Sequence, residues 1–311
     1  MIDITEKFDR TKGIGGSDIP VLLGLSKWKT PVQLYLEKIG KIKEDERLKQ
    51  DNVNNLLNMG KILESYVIEQ FEKDTGKKIT RQQERIVHPK YNFLWGTIDG
   101  MCNNLVFEVK TTSTLVRAWN EGIPPYVKAQ IAYYSYLTNS DGAKIVVLFR
   151  DTGEVKIYNY ERNIKNEEEI IKYALDFWDG VCKRIPPMPF NYADVQLLFK
   201  ESIEGEKIIA SDEDINIISK MMKLKNEIKE RENQFESLKA NICIKIGNAS
   251  AIEDSLGECL VTWKERATNK LSTDILKKTY PNIYNECLLK GTVRMFNLKN
   301  REEYNTLMGA Y

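Results

Sequence analysis

Asp99, Glu108 and Lys110 lie close together in the run WGTIDGMCNNLVFEVKTT, residues 95–112. Asp99 closes an apolar stretch, residues 100–104 carry turn formers, and residues 105–110 read as the returning strand, which predicts a hairpin. Alternation puts Glu108 and Lys110 on one strand face and Val109 on the other. Two carboxylates and an ammonium at one end of a sheet can hold a divalent cation and set water against a phosphodiester. The bland alternative is an ordinary exposed pair, since in a chain with 29% charged residues Glu-x-Lys arises readily by chance. The chain supplies its own control in Glu154-Val155-Lys156, which follows the turn formers Asp151-Thr152-Gly153 and reads as a solvated hairpin arm. Glu108 instead sits in LVFEVK, apolar on both faces as a central strand is. A charge buried there is expensive unless paired or metal-bound.

The elements that must position these groups follow from periodicity. The segment GIGGSDIPVLLG, residues 13–24, is glycine-rich and opens into helical spacing, with Ser17 or Asp18 suited to the N-cap and Pro20 to the first turn. A charge run at 41–50 reads as a solvated loop or helix face. An amphipathic helix is predicted over 53–74, with Leu56, Leu57, Leu63, Val67 and Phe71 inward and Gly76 as its stop. Gly60 shares a face with Glu64 and lets a neighbour come close. Strands are predicted at 81–88, 93–99 and 105–111, a helix from Pro124-Pro125 to about Asn139, strands at 143–149 and 155–160, and a helix over 167–184. Pro186-Pro187-Met188-Pro189 is the linker candidate. This order predicts an α/β domain over residues 1–190 built on one mixed sheet.

Residues 191–311 differ in character. Ser211 to Asp214 resembles a capping box, and from Ile217 apolar residues recur at steps of four and three through Met221, Leu224, Ile228, Phe235, Leu238 and Ile242, with Arg231 the exception. That heptad predicts a long helix over about 211–246, packed on a partner helix of this chain or another. Residues 255–301 form a small basic subdomain in which Trp263, Tyr280, Tyr284 and Phe296 interleave with Lys and Arg. It reads either as a DNA or subunit contact or as a packed accessory tail.

Bulk composition narrows the function classes. The 311 residues are 42% hydrophobic and include five cysteines, scattered and never in C-x-x-C, and one histidine, His88. This argues against zinc, iron–sulfur and paired-histidine chemistry and fits a reducing cytoplasm. No stretch has the length of a membrane span, and the start MIDITEKFDR lacks a signal-peptide core. With 46 basic and 45 acidic residues the net charge is +1, so nucleic acid would be met by a local groove rather than the whole surface.

Helix with Glu64, then Asp99, then Glu108-x-Lys110, then helix with Gln130 resembles the PD-(D/E)XK nuclease superfamily. More narrowly, GIGGSD, GKILE, TIDG, FEVKTT and KAQIAYY in this order resemble the YqaJ-like viral recombinases, relatives of phage lambda exonuclease. The likeness covers about the first 190 residues, with a weaker one in TWKERATNKLSTDILKKTYP and VRMFNLK. It implies a restriction-endonuclease-like core, a central mixed β-sheet flanked by helices, with a helical C-terminal extension and a small α+β tail. It also implies that Asp99, Glu108 and the Val109 carbonyl ligate Mg²⁺ or Mn²⁺, that Glu64 completes a second metal position, that Lys110 holds or polarises the attacking water, and that Gln130 orients it. Ser65 stands where family members often carry proline.

By the same resemblance, Arg10 and Ser17, with Gly16 in the same turn, grip a 5′ phosphate. No G-K-[ST] follows, so this is not a Walker A loop. The resemblance implies a metal-dependent 5′→3′ exonuclease of double-stranded DNA, leaving 3′ overhangs for a single-strand annealing recombinase. A ring-shaped homotrimer follows by analogy, in the cytoplasm of a bacterial host from a phage or prophage gene. Alternatives are a restriction-like endonuclease and a non-catalytic DNA-end-binding scaffold.

Overall fold

A computed structural model of the chain describes residues 9–42, 51–289 and 291–299, and not the side chains of residues 51–58 and 61. Most of the charge run at 41–50, the side chains of Leu56 and Leu57, and the end of the basic subdomain lie outside the described residues. The chain divides into two compact units, the first ending at Phe199 and the second beginning at Lys200.

The first unit is built on a five-stranded sheet in the order β1-β4-β5-β6-β7, formed by Ile79–Thr80, Gly100–Cys102, Leu105–Thr112, Gly142–Phe149 and Glu154–Glu161. β5 and β6 run parallel and the other neighbours antiparallel, the mixed sheet expected from the sequence. A separate hairpin pairs β2 (Arg85–Val87) with β3 (Trp95–Thr97). The helices are α1 (Ile19–Leu22), α2 (Pro31–Lys38), α3 (Asp51–Thr75), α4 (Pro125–Thr138), α5 (Ile164–Lys183) and α6 (Tyr192–Leu198).

Alternation along β5 and β6 creates two apolar layers. Val67, Ile68 and Phe71 of α3 pack on Phe107, Val109, Val146 and Leu148. On the opposite face Val106, Ile145 and Val147 meet α4 and α5 through Val127, Ile131, Ile170 and Ala174. Left-handed residues follow several helices, among them Gly76 after α3, Asn139 after α4 and Arg184 after α5. Among the described residues no helix is long and apolar enough to cross a membrane.

Three expectations change. Residues 100–102 are strand β4 and not turn, because they pair with both β1 and β5, and the reversal falls at Asn103-Asn104. The three strands predicted between 81 and 111 are four, since β4 splits off the hairpin, and β1 lies just before them. The proline run at 186–189 does not end the first unit: α6 follows it and is tied to α2, where the Thr30 hydroxyl donates to Asp194 Oδ1.

The second unit is dominated by α7 (Asp212–Ile246), capped as expected by Ser211 with Asp214 in a capping box. The hairpin β8–β9 (Ala251–Glu253, Cys259–Thr262) and the short helices α8 (Thr273–Thr279) and α9 (Pro281–Cys287) complete it. The heptad stripe of α7 is exposed: Leu224 retains 56% and Phe235 65% of its accessible surface. The expected helical partner is therefore not among the described residues of this chain.

Candidate active site

β5 carries the central groups. Its odd-numbered side chains Phe107 and Val109 are committed to the α3 layer, so Glu108 and Lys110 face α4. Lys110 Nζ donates to Glu108 Oε1 at 2.7 Å and to Gln130 Oε1 at 3.2 Å. Gln130 Nε2 in turn donates to the Tyr134 hydroxyl, one helical turn along α4, at 3.1 Å. Glu108 is buried, and its second oxygen, Oε2, has no hydrogen-bond partner. An unpaired buried carboxylate oxygen is costly, and a cation is the natural remedy.

Asp99 enters from the residue before β4, and its Oδ2 accepts the Val109 N–H at 2.8 Å. Burial, then the charges of Glu108 and Glu64, push its carboxyl well above the usual carboxylate range, against the Val109 N–H and Lys110. The charges of Glu108 and Glu64 thus act on Asp99 in the same direction. For Lys110, burial acts to lower the pKa, but Glu108 and Asp99 outweigh it and the net shift is upward, so the ammonium stays charged. Among the described residues no three acid, thiol or imidazole side chains stand close enough to cage a metal ready-made. Glu64 is engaged by Gln83, whose amide donates to its Oε1. Gln83 holds a left-handed backbone (φ 52°), as does Arg81 (φ 51°), a local strain of the kind that accompanies functional loops. Among the described residues nothing lies within 4 Å of where a Cβ on Gly60 would stand, so the expected close approach is not made by any of them.

The glycine-rich segment lies beside β3, with Ile14 bridged to Leu94. Arg10 and Ser17 meet as their spacing predicted, Arg10 Nη2 donating to Ser17 Oγ at 2.7 Å. Asp18 is the N-cap residue of α1 and Pro20 lies in its first turn, as expected, although Asp18 makes no side-chain bond to that helix. Helix α1 is a single turn, and the Gly15 N–H is taken by Asp18 Oδ2 at 3.0 Å. Ser17 caps nothing, and Asp18 closes the preceding 3-10 turn instead. The glycines answer to packing: a Cβ on Gly16 would stand 2.3 Å from the Tyr134 ring, and one on Gly13 2.3 Å from the Phe93 carbonyl. Tyr134 thus touches Gly16 on one side and Gln130 on the other, linking the Arg10–Ser17 pair to Lys110.

Two residues escaped the sequence reading. Lys38 Nζ, in the last turn of α2, donates to Asp18 Oδ2 and to the Arg10 carbonyl, both at 2.7 Å. Burial lowers its pKa and the Asp18 charge opposes that. Nothing in the local pattern marks a lysine twenty residues from its partner. Tyr134 had a visible signal, a tyrosine one turn after Gln130 in KAQIAYY, together with glycines that demand a large neighbour.

Residues 7–141 match the YqaJ-like viral recombinase domain family. The chain is similar to YqaJ of Bacillus subtilis (strain 168), an uncharacterized protein, with 28% identity over 301 residues that cover 94% of this chain and 92% of that one. Among solved structures it is similar to an alkaline exonuclease (LHK-Exo) from Laribacter hongkongensis, at 16% identity over 57% of this chain and 91% of that one, with a TM-score of 0.46. A phage related exonuclease from Haemophilus somnus 129PT gives 12% identity, 56% and 96% coverage, and a TM-score of 0.39.

Proposed function

We propose, for a chain that through residues 7–141 belongs to the YqaJ-like viral recombinase family, that it is a metal-dependent 5′→3′ exonuclease of double-stranded DNA. Its product would be a 3′ single-stranded overhang for recombination by strand annealing. The observation that carries this reading is the buried Glu108, paired through one oxygen with Lys110 and unpartnered at the other, beside Asp99. Asp99, Glu108 and the Val109 carbonyl would hold Mg²⁺ or Mn²⁺, with Glu64 at a second position. The donors are all hard oxygens, which suit these ions and not zinc.

When bound, such a cation stabilises charge on the phosphoryl oxygens and acidifies its water. The chain's own residues do the rest. Lys110, fixed between Glu108 and Gln130, presents an ammonium that orients the attacking water and stabilises negative charge developing at phosphorus. Gln130 holds Lys110 in place and is itself held by Tyr134. Arg10 and Ser17 would receive a terminal 5′ phosphate. Arg10 and Lys38 both face the carboxylate of Asp18 beside Ser17.

Incubation with Mg²⁺ and matched linear and closed-circular duplexes tests the reading. Loss of linear DNA from its 5′ ends is expected. Cutting of circles would make the protein an endonuclease, and retention without cutting a scaffold. Polarity has its own test: 5′-phosphorylated ends should be engaged roughly ten- to hundredfold better than 5′-hydroxyl ends, the worth of a charge-assisted contact. Arg10→Ala should erase that difference and leave metal chemistry competent. Equal use of both ends, or digestion from the 3′ end, overturns the phosphate pocket.

A further inference from the structure

Among the described residues the stripe of α7 is an apolar seam largely without a cover. From Ile217 to Ile242 it spans about 38 Å at the helical rise, and Ile228 and Leu238 are 57% and 65% exposed. Leu298 and Lys299 approach one part of it, lining a cavity with Met222, Lys225, Ile228 and Glu232. Phe235 and Leu238, further along, are not covered by any of the described residues.

We propose that this seam pairs with the same seam of a second copy of the chain, the two helices running antiparallel. The charge pattern decides both the occupant and the direction. A parallel pair in register would bury Arg231 against the partner's Arg231. It would also flank the core with Lys220 facing the partner's Lys225 and Glu227 facing the partner's Glu232, like charges throughout. Reversing one helix about a two-fold axis between Lys229 and Glu230 removes every one of these clashes. Phe235 then meets the partner's Leu224, and Met221 the partner's Leu238. Lys225 lies opposite the partner's Glu232, and Arg231 packs on the partner's Ile228 beside the partner's Glu227. A two-fold interface requires a patch that is its own complement, and this stripe is one only when reversed. The one break in the heptad thereby acquires a role, fixing direction and register as buried polar residues do.

Sedimentation equilibrium on the full chain tests this. Phe235→Asp should halve the assembled mass, whether or not the first unit assembles on its own, while circular dichroism stays that of a folded chain because Phe235 is exposed within one copy. Lys225→Glu should weaken self-association about tenfold, since it places two like-charged pairs across the seam. Glu232→Lys should do the same, and the double exchange should restore wild-type affinity. A parallel pair would respond oppositely, because Lys225→Glu would then face the partner's Lys220 and tighten association. Unchanged mass in Phe235→Asp, or tightening by Lys225→Glu, overturns the proposal.

Discussion

Glu108-Val109-Lys110 and Glu154-Val155-Lys156 are the same tripeptide in the same sheet. Lys110 and Lys156 even share a row, since both register with Val147 of the strand between them. Their surroundings differ in every respect that matters to chemistry. Lys110 pairs with Glu108 at 2.7 Å with side chains 27% and 4% exposed, whereas Lys156 pairs with Glu154 at 3.4 Å with both about half exposed (49% and 50%). On the central strand, α4 covers the pair and supplies Gln130, and Asp99 adds a second carboxylate. On the edge strand, Lys156 lies over the Phe149 ring and faces solvent. Identical residues become a candidate active site or a solvated arm according to which strand they occupy.

The largest expected effect separates the two glutamates. Glu108→Gln should lower turnover about a thousandfold or more and abolish Mn²⁺ binding by calorimetry, the loss of about 4 kcal/mol at the transition state. Glu154→Gln should change neither. Comparable Mn²⁺ affinities in the two variants would break the comparison.

Burial should also rank the ion pairs of the first unit by stability. Lys38→Met leaves the buried Asp18 with only the Gly15 N–H and the more distant Arg10, frees the Arg10 carbonyl, and should cost about 3 kcal/mol in denaturant unfolding. Lys183→Ala removes the exposed partner of Asp179 and should stay within about 0.5 kcal/mol. A mild effect at Lys38 would show that the glycine-rich loop is held by its packing on Tyr134 and Trp95 alone.

Gln130→Ala should have an intermediate effect, roughly ten- to hundredfold on kcat, because Lys110 keeps Glu108 but loses its second anchor. An unchanged kcat would make Gln130 a packing residue. The smallest effect is expected at Lys156→Ala, within about 0.5 kcal/mol of wild-type stability by thermal melting. A larger loss would mean that the control strand is less free than its exposure implies.

What the sequence revealed and concealed divides along local and long-range causes. The helices α3, α4, α5 and α7 and the strands β5, β6 and β7 were legible because the apolar residues of each follow its own period, although on α7 and β7 most of those positions are exposed. Strand β4 was not, because Gly100-Met101-Cys102 looks like a turn, and only pairing on both sides makes it a strand. Gly100 suits that place because a Cβ there would lie 2.4 Å from Ile79 Cγ2. At the site, Glu108, Lys110 and Gln130 converge as face and order predicted. Asp18–Lys38 and Glu64–Gln83 join residues distant in sequence, which no local pattern signals. The α7 heptad was legible as a helix, but its seam is filled by nothing among the described residues of the same chain.

The central claim is that the buried copy of the tripeptide is the reactive one, and the lysines test it most directly. Lys110→Ala and Lys156→Ala, assayed side by side on a linear 5′-phosphorylated duplex in Mg²⁺, should differ by at least about a hundredfold in degradation rate. Duplex binding should be retained in both, and Lys156→Ala should match wild type. Equal rates for the two variants would contradict the assignment of the site to the β4–β5 hairpin.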